Sequence, residues 1–253
     1  MKENRIWRWL ALVGIAATIT INVLANSLPI NGLNTGEISD RFDIFFVPAG
    51  YVFSIWFLIY VGLIAYAVYQ ILPDNQENSR LDRAAVWVVL ASAANIAWIF
   101  CWHYLLFGWS LLAMTLLLLS LIMIYTTLKI GREPVDAGEY WLVRVPFSIY
   151  LGWISVATIA NVTQVLFVFD WGGWGISEEI WTAVMLAVAT VLGWIMALDR
   201  RDIPYLLVLI WAFTGIALKF PGTQLVAVSA WAASGLLAAA VLWTALQRRS
   251  RNI

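Results

Sequence analysis

Eight apolar stretches of this chain contain no charged residue. All 15 basic and all 15 acidic side chains lie in the short connections between these stretches or at the two ends. The hydrocarbon core of a bilayer is about 30 Å thick, so a helix needs roughly 20 apolar residues to cross it, and a charge at its centre costs several kcal/mol. The pattern therefore predicts a chain that crosses a membrane several times.

The charge-free stretches predict helices, because backbone groups in lipid find partners only within a helix or a closed barrel. The predicted fold class is all-α, a polytopic transmembrane helical bundle with eight spans. The spans cover residues 9–27, 47–72, 84–101, 107–128, 145–169, 180–198, 203–218 and 223–246. The seventh span is short for a full crossing, and a re-entrant segment is the alternative interpretation for it.

Lys and Arg are concentrated on one side of the predicted bundle. Thirteen of the 15 lie on the side of the two termini, whereas Arg41 and Lys219 lie on the other side. Basic residues are retained on the cytoplasmic side, so we expect cytoplasmic termini and a bacterial plasma (inner) membrane. The first span, with Val23-Leu24-Ala25 near its end, also resembles a signal peptide, and cleavage after Ala25 would leave seven helices in the same topology.

Composition argues against several kinds of partner and site. The formal net charge is zero, and the basic residues are spread in small groups, so we expect no nucleic-acid partner. Cys101 is the single cysteine and cannot form an internal disulfide. His103 is the single histidine, which argues against a multi-His metal site or an acid–base couple, and we predict no catalytic site. We interpret His103 as an interfacial polar residue, with axial haem ligation as the alternative.

Tryptophan is unusually frequent, with 16 in 253 residues. Six of them lie well inside predicted spans: Trp56, Trp98, Trp153, Trp194, Trp211 and Trp231. The amides Asn95, Asn161 and Gln164 also lie inside spans. An amide at membrane depth most often hydrogen-bonds a neighbouring helix. The alternative is that the amides and indoles line an internal cavity, as in many small-molecule sites.

Three segments, in order along the chain, resemble a known family. They are Phe46-Val47-Pro48-Ala49-Gly50-Tyr51-Val52-Phe53-Ser54-Ile55-Trp56 followed by Tyr60, then Asn95-Ile96-Ala97-Trp98, then Tyr150-Leu151-Gly152-Trp153 with Ala157 and Asn161. They resemble motifs of the TspO/MBR family, the translocator or tryptophan-rich sensory proteins. Relative to the family pattern, a double proline is reduced to Pro48, the interval from Phe53 to Trp56 is one residue shorter, and Pro146 stands four residues before Tyr150.

This resemblance covers about residues 40–168 and implies an often dimeric bundle that holds a porphyrin, a sterol or a lipid-like molecule between helices. It divides the chain into a TspO-like five-helix bundle, residues 1–170, and a three-helix extension, residues 171–253. No cofactor is required, although a bound porphyrin or haem would suit such a bundle, and the implied partners are a hydrophobic ligand, membrane lipid and a second copy. Some family members are linked to porphyrin breakdown, but we predict binding rather than catalysis. The implied ligand-binding residues are Tyr51, Phe53, Trp56, Tyr60, Asn95, Trp98, Tyr150, Trp153, Ala157 and Asn161.

Two further segments bear on function. Residues 28–45 are polar and rich in turn-forming residues, so they lie outside the lipid. The family resemblance implies that they are the lid of the ligand site, and a loop of variable sequence without that role is the alternative. Residues 199–202 are predicted to be a solvated turn.

Two other functions stay open. A transporter of an uncharged amphiphile is one. Coupled ion transport is disfavoured, because ionisable residues inside the membrane, the usual mark of ion pathways, are missing from the spans. A scaffold subunit is the other, because Ala227, Ala230, Ser234 and Ala238 form a small-residue face on the last span.

Overall fold

In the described part of the chain, eight helices of 15 or more residues correspond to the eight predicted spans. The computed structural model describes residues 2–28 and 30–249, and within them no strand occurs. The helices are α1 (Lys2–Ser27), α2 (Ile55–Tyr69), α3 (Ser79–His103), α4 (Phe107–Thr127), α5 (Val145–Val168), α6 (Glu178–Arg200), α7 (Ile203–Lys219) and α8 (Gln224–Arg249). Seven of the helical segments are long and apolar enough to cross a membrane, and α7 is a shorter apolar helix. Arg251, one of the basic residues used to predict orientation, lies outside the described residues.

The first five helices form a closed ring. Helix α1 packs against α3, α3 against α4, α4 against α5, α5 against α2, and α2 against α1. Outward-facing apolar side chains such as Phe57, which is 75% exposed, cover the outside of the helices. This surface matches a lipid environment, because apolar groups facing lipid lose nothing by exposure.

The last three helices pack on this ring through α7. Helix α7 contacts α5 of the ring and also α6 and α8. On the small-residue face of α8, Ala230 and Ser234 are buried, whereas Ala238 is exposed. A Cβ added to Gly193 of α6 would lie 2.4 Å from Leu237 Cδ2 of α8, so these two helices approach closely. Most of this face therefore serves packing within the chain.

The two ends of the bundle differ in charge. We call the end that carries the starts of α1, α3, α5 and α7 the basic face, and the end that carries residues 30–45 the lid face. On the basic face Arg8 is only 4% exposed, and its Nε donates to Asp82 Oδ1 at 2.6 Å. The other guanidinium nitrogens donate to the carbonyls of Gln70, Asn75 and Asn78 at 2.6–2.9 Å. The burial of this charge is offset because its donors are paired.

The turn between α6 and α7 is only partly the solvated turn that the sequence predicts, since Asp199 is exposed but Asp202 is not. Asp202 is 4% exposed, and its Oδ2 accepts hydrogen bonds from the hydroxyls of Tyr125 and Ser148, both at 2.7 Å. Its Oδ1 accepts a hydrogen bond from the backbone N–H of Tyr205 at 3.2 Å and thereby caps α7. The prediction was wrong for Asp202 because donors from α4 and α5, distant in sequence, surround this carboxylate.

Candidate functional site

A small cavity lies inside the five-helix ring, beneath the connection between α1 and α2. Its volume is about 50 Å³. Six of its lining residues are among those that the family resemblance implies: Phe53, Trp56, Trp98, Trp153, Ala157 and Asn161. The remaining lining residues are Thr35, Ser39, Val47, Pro48, Trp102, Val156 and Ala160.

Aromatic rings pack against one another around the cavity. Trp153 of α5 meets Phe53 edge-on, with a centroid distance of 5.7 Å and an interplanar angle of 82°. It meets Trp56 at 6.2 Å with the same angle. On α3, Trp98 stacks on Trp102 at 5.5 Å and 24°. Each such pair adds about 0.5–1.5 kcal/mol beyond the burial of its area, so the cavity wall is a connected set of indole and phenyl rings.

The amide of Asn161 is a fully paired polar group on this wall. Its Oδ1 accepts a hydrogen bond from Trp98 Nε1 at 3.2 Å, and its Nδ2 donates to Ser110 Oγ at 3.0 Å. Ser110 in turn donates to the carbonyl of Phe107 at 2.8 Å. Both ends of the amide therefore have partners, which fixes the orientation of the side chain toward α3 and α4.

The indole N–H of Trp153 is the unpaired polar group of the cavity. The side chain is 3% exposed, and Nε1 has no hydrogen-bond acceptor among the described residues. An unpaired buried donor costs about 1–3 kcal/mol, and such groups are uncommon in folded proteins. Because this nitrogen has no exposed surface in the closed cavity, an oxygen atom of a bound molecule would reach it only after the wall opens.

Three of the other four implied residues stand behind the cavity wall. Tyr60 stacks on Trp56 with a centroid distance of 5.7 Å. Asn95 donates from Nδ2 to the Tyr150 hydroxyl at 2.9 Å, and its Oδ1 accepts from Asn22 Nδ2 at 2.7 Å. Asn95 thus joins α1, α3 and α5, which is the helix-linking role that amides most often have in membranes.

Tyr51, the fourth, points away from the cavity. It is 45% exposed, and its ring meets Trp211 of α7 edge-on at 5.3 Å. Tyr51 belongs to a 3₁₀ turn, Gly50–Ser54, that precedes α2. The turn winds the backbone so that Phe53 faces the cavity while Tyr51 faces outward.

A short helix, Thr35–Ser39, covers the cavity, and we call residues 30–45 the lid. Asn34 Oδ1 accepts a hydrogen bond from the Glu37 backbone N–H at 2.9 Å, and the Glu37 carboxylate accepts one from the Asn34 N–H at 2.8 Å. This capping box stabilises a helix that would otherwise be too short to persist. Trp102 Nε1 donates to the Thr35 carbonyl at 3.2 Å and so fastens the lid to α3.

His103 also fastens the lid, and at the end of α3 it is buried beneath the lid rather than exposed. It is fully buried, with Nε2 3.1 Å from Thr35 Oγ1 and Nδ1 3.1 Å from the Ile30 carbonyl oxygen. A carbonyl can only accept, so Nδ1 carries a hydrogen, and in the neutral ring Nε2 accepts from Thr35. Axial ligation by His103 would require the hydrogen bond with Thr35 to break.

Helix α7 supports the cavity wall from outside the ring. The backbone N–H of Ala49 donates to the Gly215 carbonyl at 3.2 Å, and Trp211 Nε1 donates to the Val52 carbonyl at 3.1 Å. Lys219 Nζ lies 2.6 Å from Asp40 Oδ1 of the lid. The segment that carries Pro48 and Phe53 is therefore held between α5 and α7.

Sequence signals exist for some lining residues that the family motifs do not include. Trp102 follows Trp98 by four residues and so shares its helix face. Thr35 and Ser39 have the same spacing, just after Asn34, and Glu37 completes the capping signature. The contacts with α7 carry no comparable signal, because they depend on tertiary packing.

A closed ring of apolar helices with an internal aromatic cavity and a capped lid defines an integral, multi-pass membrane protein. The sequence matches the family described as TSPO-like protein over residues 8–243, and the chain belongs to that family. The match extends from α1 into α8, so it includes the three helices that we predicted as an extension. The division of the chain at residue 170 stays a prediction. Comparisons with curated proteins and with solved structures gave no significant match.

Proposed function

We propose that this protein binds an apolar small molecule in the aromatic cavity and acts in sensing, regulation or trafficking of that molecule. The observation that carries the proposal is the unpaired, buried N–H of Trp153 on a wall that includes five aromatic residues. Ring faces bury a large ligand area at little rotamer cost, and a single donor orients a polar substituent.

The composition of the wall favours a ligand whose buried part is uncharged. The lining residues include no Lys, Arg or His. A carboxylate buried there would lack a compensating cation, which is costly. A sterol or lipid-like molecule with one hydroxyl or carbonyl group fits, and so does a tetrapyrrole such as a porphyrin whose carboxylates stay outside the ring. One cation, Lys219, lies near the cavity. It pairs with Asp40 of the lid, and Asp40 is next to the lining residue Ser39.

Binding of such a ligand requires the lid to move. Pockets for small molecules usually measure about 300–1,000 Å³. The cavity of about 50 Å³ is much smaller than this. The short lid helix is held by a few hydrogen bonds from Trp102 and His103, so we assign ligand entry to its displacement.

Ion-coupled transport and scaffolding are the alternatives, and the positions of the buried charges argue against the first. Among the described side chains, the buried charged ones lie near helix ends on the basic face: Arg8, Glu139, Arg144 and Asp202. Passage of an uncharged amphiphile through the same cavity is compatible with the proposal. No catalytic step forms part of it.

We also propose that the basic face lies in the cytoplasm and that the membrane is a bacterial plasma membrane. The supporting observation is the strong enrichment of Lys and Arg on the side of the termini. Reaction of single-cysteine variants on the two faces with an impermeant thiol reagent in intact cells tests this orientation.

The test of binding is a titration of the detergent-purified protein with protoporphyrin IX, followed by Trp fluorescence. We expect saturable quenching that the double variant Trp153→Phe, Asn161→Ala loses. Trp231→Phe is the control, because Trp231 is 50% exposed on α8 and lies outside the cavity. Quenching that does not saturate, or that the double variant retains, would contradict binding in this cavity and indicate partition into detergent.

A further inference from the structure

A second cavity, larger than the first, opens on the opposite end of the molecule. Its volume is about 760 Å³, and it lies on the basic face between the α4–α5 connection, the start of α5 and the turn between α6 and α7. We call it the arginine recess, because its lining includes Arg132, Arg144, Arg200 and Arg201. Two acidic residues, Glu133 and Asp202, also line it.

On one side of the recess two arginines share a single carboxylate. Arg132 Nη2 lies 2.5 Å from Asp199 Oδ1, and Arg200 Nε lies 2.8 Å from Asp199 Oδ2. One negative charge cannot neutralise two guanidinium groups, and Arg201 and Asp202 on the same side add one charge of each sign. This side of the recess therefore carries an excess positive charge.

The other side repeats this imbalance with five groups. Glu139 contacts Arg80 at 3.1 Å and Arg144 at 3.4 Å, while Glu133 contacts Arg80 at 2.9 Å and Lys129 at 2.5 Å. The hydrogen bond from Lys129 holds the pKa of the Glu133 carboxyl below its usual range, so this group is ionised near neutral pH. Three cations thus share two carboxylates, and a second positive charge is left over.

Arg144 is the buried member of the recess. It is 4% exposed, and its Nη1 donates to the Glu133 carbonyl. Its Nη2 makes no hydrogen bond, since Glu139 Oε1 at 3.4 Å is within ion-pair distance but lacks hydrogen-bond geometry. A guanidinium group offers five donors, and a buried charged donor without a partner is costly. Arg144 lines the recess, where its positive charge would attract an anionic oxygen.

The position of the recess identifies the source of that anion. A π-helical turn, Tyr140–Arg144, lines it and places Trp141, which is 64% exposed, on the outer surface of the same turn. Exposed Trp at the end of a transmembrane helix marks the depth of lipid headgroups. Basic pockets between helices at this depth suit phosphate headgroups. We propose that the arginine recess binds the phosphate group of an anionic phospholipid.

The test uses the full-length protein in a neutral detergent. Thermal-shift titrations are made with dioctanoyl phosphatidylglycerol, dioctanoyl phosphatidylcholine and inorganic phosphate. We expect saturable stabilisation by phosphatidylglycerol, with an apparent Kd raised at least about tenfold in Arg144→Gln and in Arg201→Gln, because each change removes a charge-assisted contact. Arg201→Gln keeps the test valid if the buried substitution prevents folding.

The matched control is Arg83→Gln, which removes the same charge from an exposed position of α3 outside the recess. Its Kd should stay within about twofold of the parent value, as expected for a distant surface charge. Equal stabilisation by phosphatidylcholine, or an equal loss in Arg83→Gln, would overturn the proposal. Inorganic phosphate that binds as tightly as the lipid would overturn the assignment to a lipid. None of these outcomes depends on ligand binding in the aromatic cavity.

Discussion

Trp211 Nε1 donates a hydrogen bond to the main-chain carbonyl of Val52 at 3.1 Å, although the two residues are 159 positions apart. Val52 precedes Phe53, whose ring lines the aromatic cavity. The bond therefore connects α7 to the wall of the candidate ligand site. The contact joins the five-helix ring to the C-terminal helices. We therefore expect substitutions in α7 to alter ligand binding in the cavity.

Replacement of Trp211 by Phe tests this connection. The change removes the donor but keeps an aromatic ring, and we expect the stability to fall by about 0.5–1.5 kcal/mol. Porphyrin affinity should fall with it, because the turn that carries Phe53 loses its outer support. Thermal unfolding in detergent and the fluorescence titration measure the two effects. Trp231→Phe is the control, and equal effects of the two substitutions would contradict the connection.

Replacement of Gly215 by Ala should disturb the same wall by overpacking. A Cβ at this position would lie 2.2 Å from Val52 Cγ2 and 3.1 Å from Pro48 Cβ, so the wall segment must shift. We expect a loss of about 1–3 kcal/mol in stability and weaker porphyrin quenching. Gly235→Ala is the matched control, because no atom lies within 4 Å of its Cβ position. An unchanged melting temperature for Gly215→Ala would contradict the close packing of α7 against Val52 and Pro48.

Trp153→Phe should weaken ligand binding more than stability, whereas Tyr150→Phe should lower stability more than ligand binding. Trp153→Phe removes an unpaired donor but also part of the packing against Phe53 and Trp56, so the two effects on stability should largely offset while ligand affinity falls. Tyr150→Phe leaves Asn95 without one of its partners and should cost about 0.6–2 kcal/mol of stability. Its effect on porphyrin quenching should be smaller, because Tyr150 does not line the cavity. A stability loss in Trp153→Phe equal to that in Tyr150→Phe would argue that Trp153 is a packing residue.

The lid should loosen when His103 is removed. His103→Ala deletes the contacts with Thr35 and Ile30, so we expect faster amide hydrogen exchange in residues 35–39. The exchange rates in the ring helices should stay close to those of the parent protein. Tyr104→Ala serves as the control, because Tyr104 is adjacent and 56% exposed. Equal exchange in the two variants would mean that His103 does not hold the lid.

Features that depend on chain position were predictable from the sequence. The eight helices follow from the charge-free stretches, and the position of residues 28–45 outside the bundle follows from a polar composition that cannot lie in lipid. Their role as a lid was implied by the family resemblance. The family motifs placed Phe53, Trp98, Trp153 and Asn161 at one site, and these residues line one cavity. Asn95 and Tyr150 come from the same motifs but link helices behind the wall.

The sequence by itself determined which segments are helices and at which end of the bundle each charge lies. The physical reason is that the bilayer excludes charge and unpaired backbone groups, so the hydropathy of each segment decides its depth. Only the tertiary structure decided which side of each helix faces the lipid and which side faces the interior. The helices are apolar on the lipid side as well as inside, so hydropathy cannot indicate that Tyr51 points outward or that Asp202 is buried. Packing between helices distant in the chain fixed those positions, and with them the support of the cavity by α7 and the excess charge of the arginine recess.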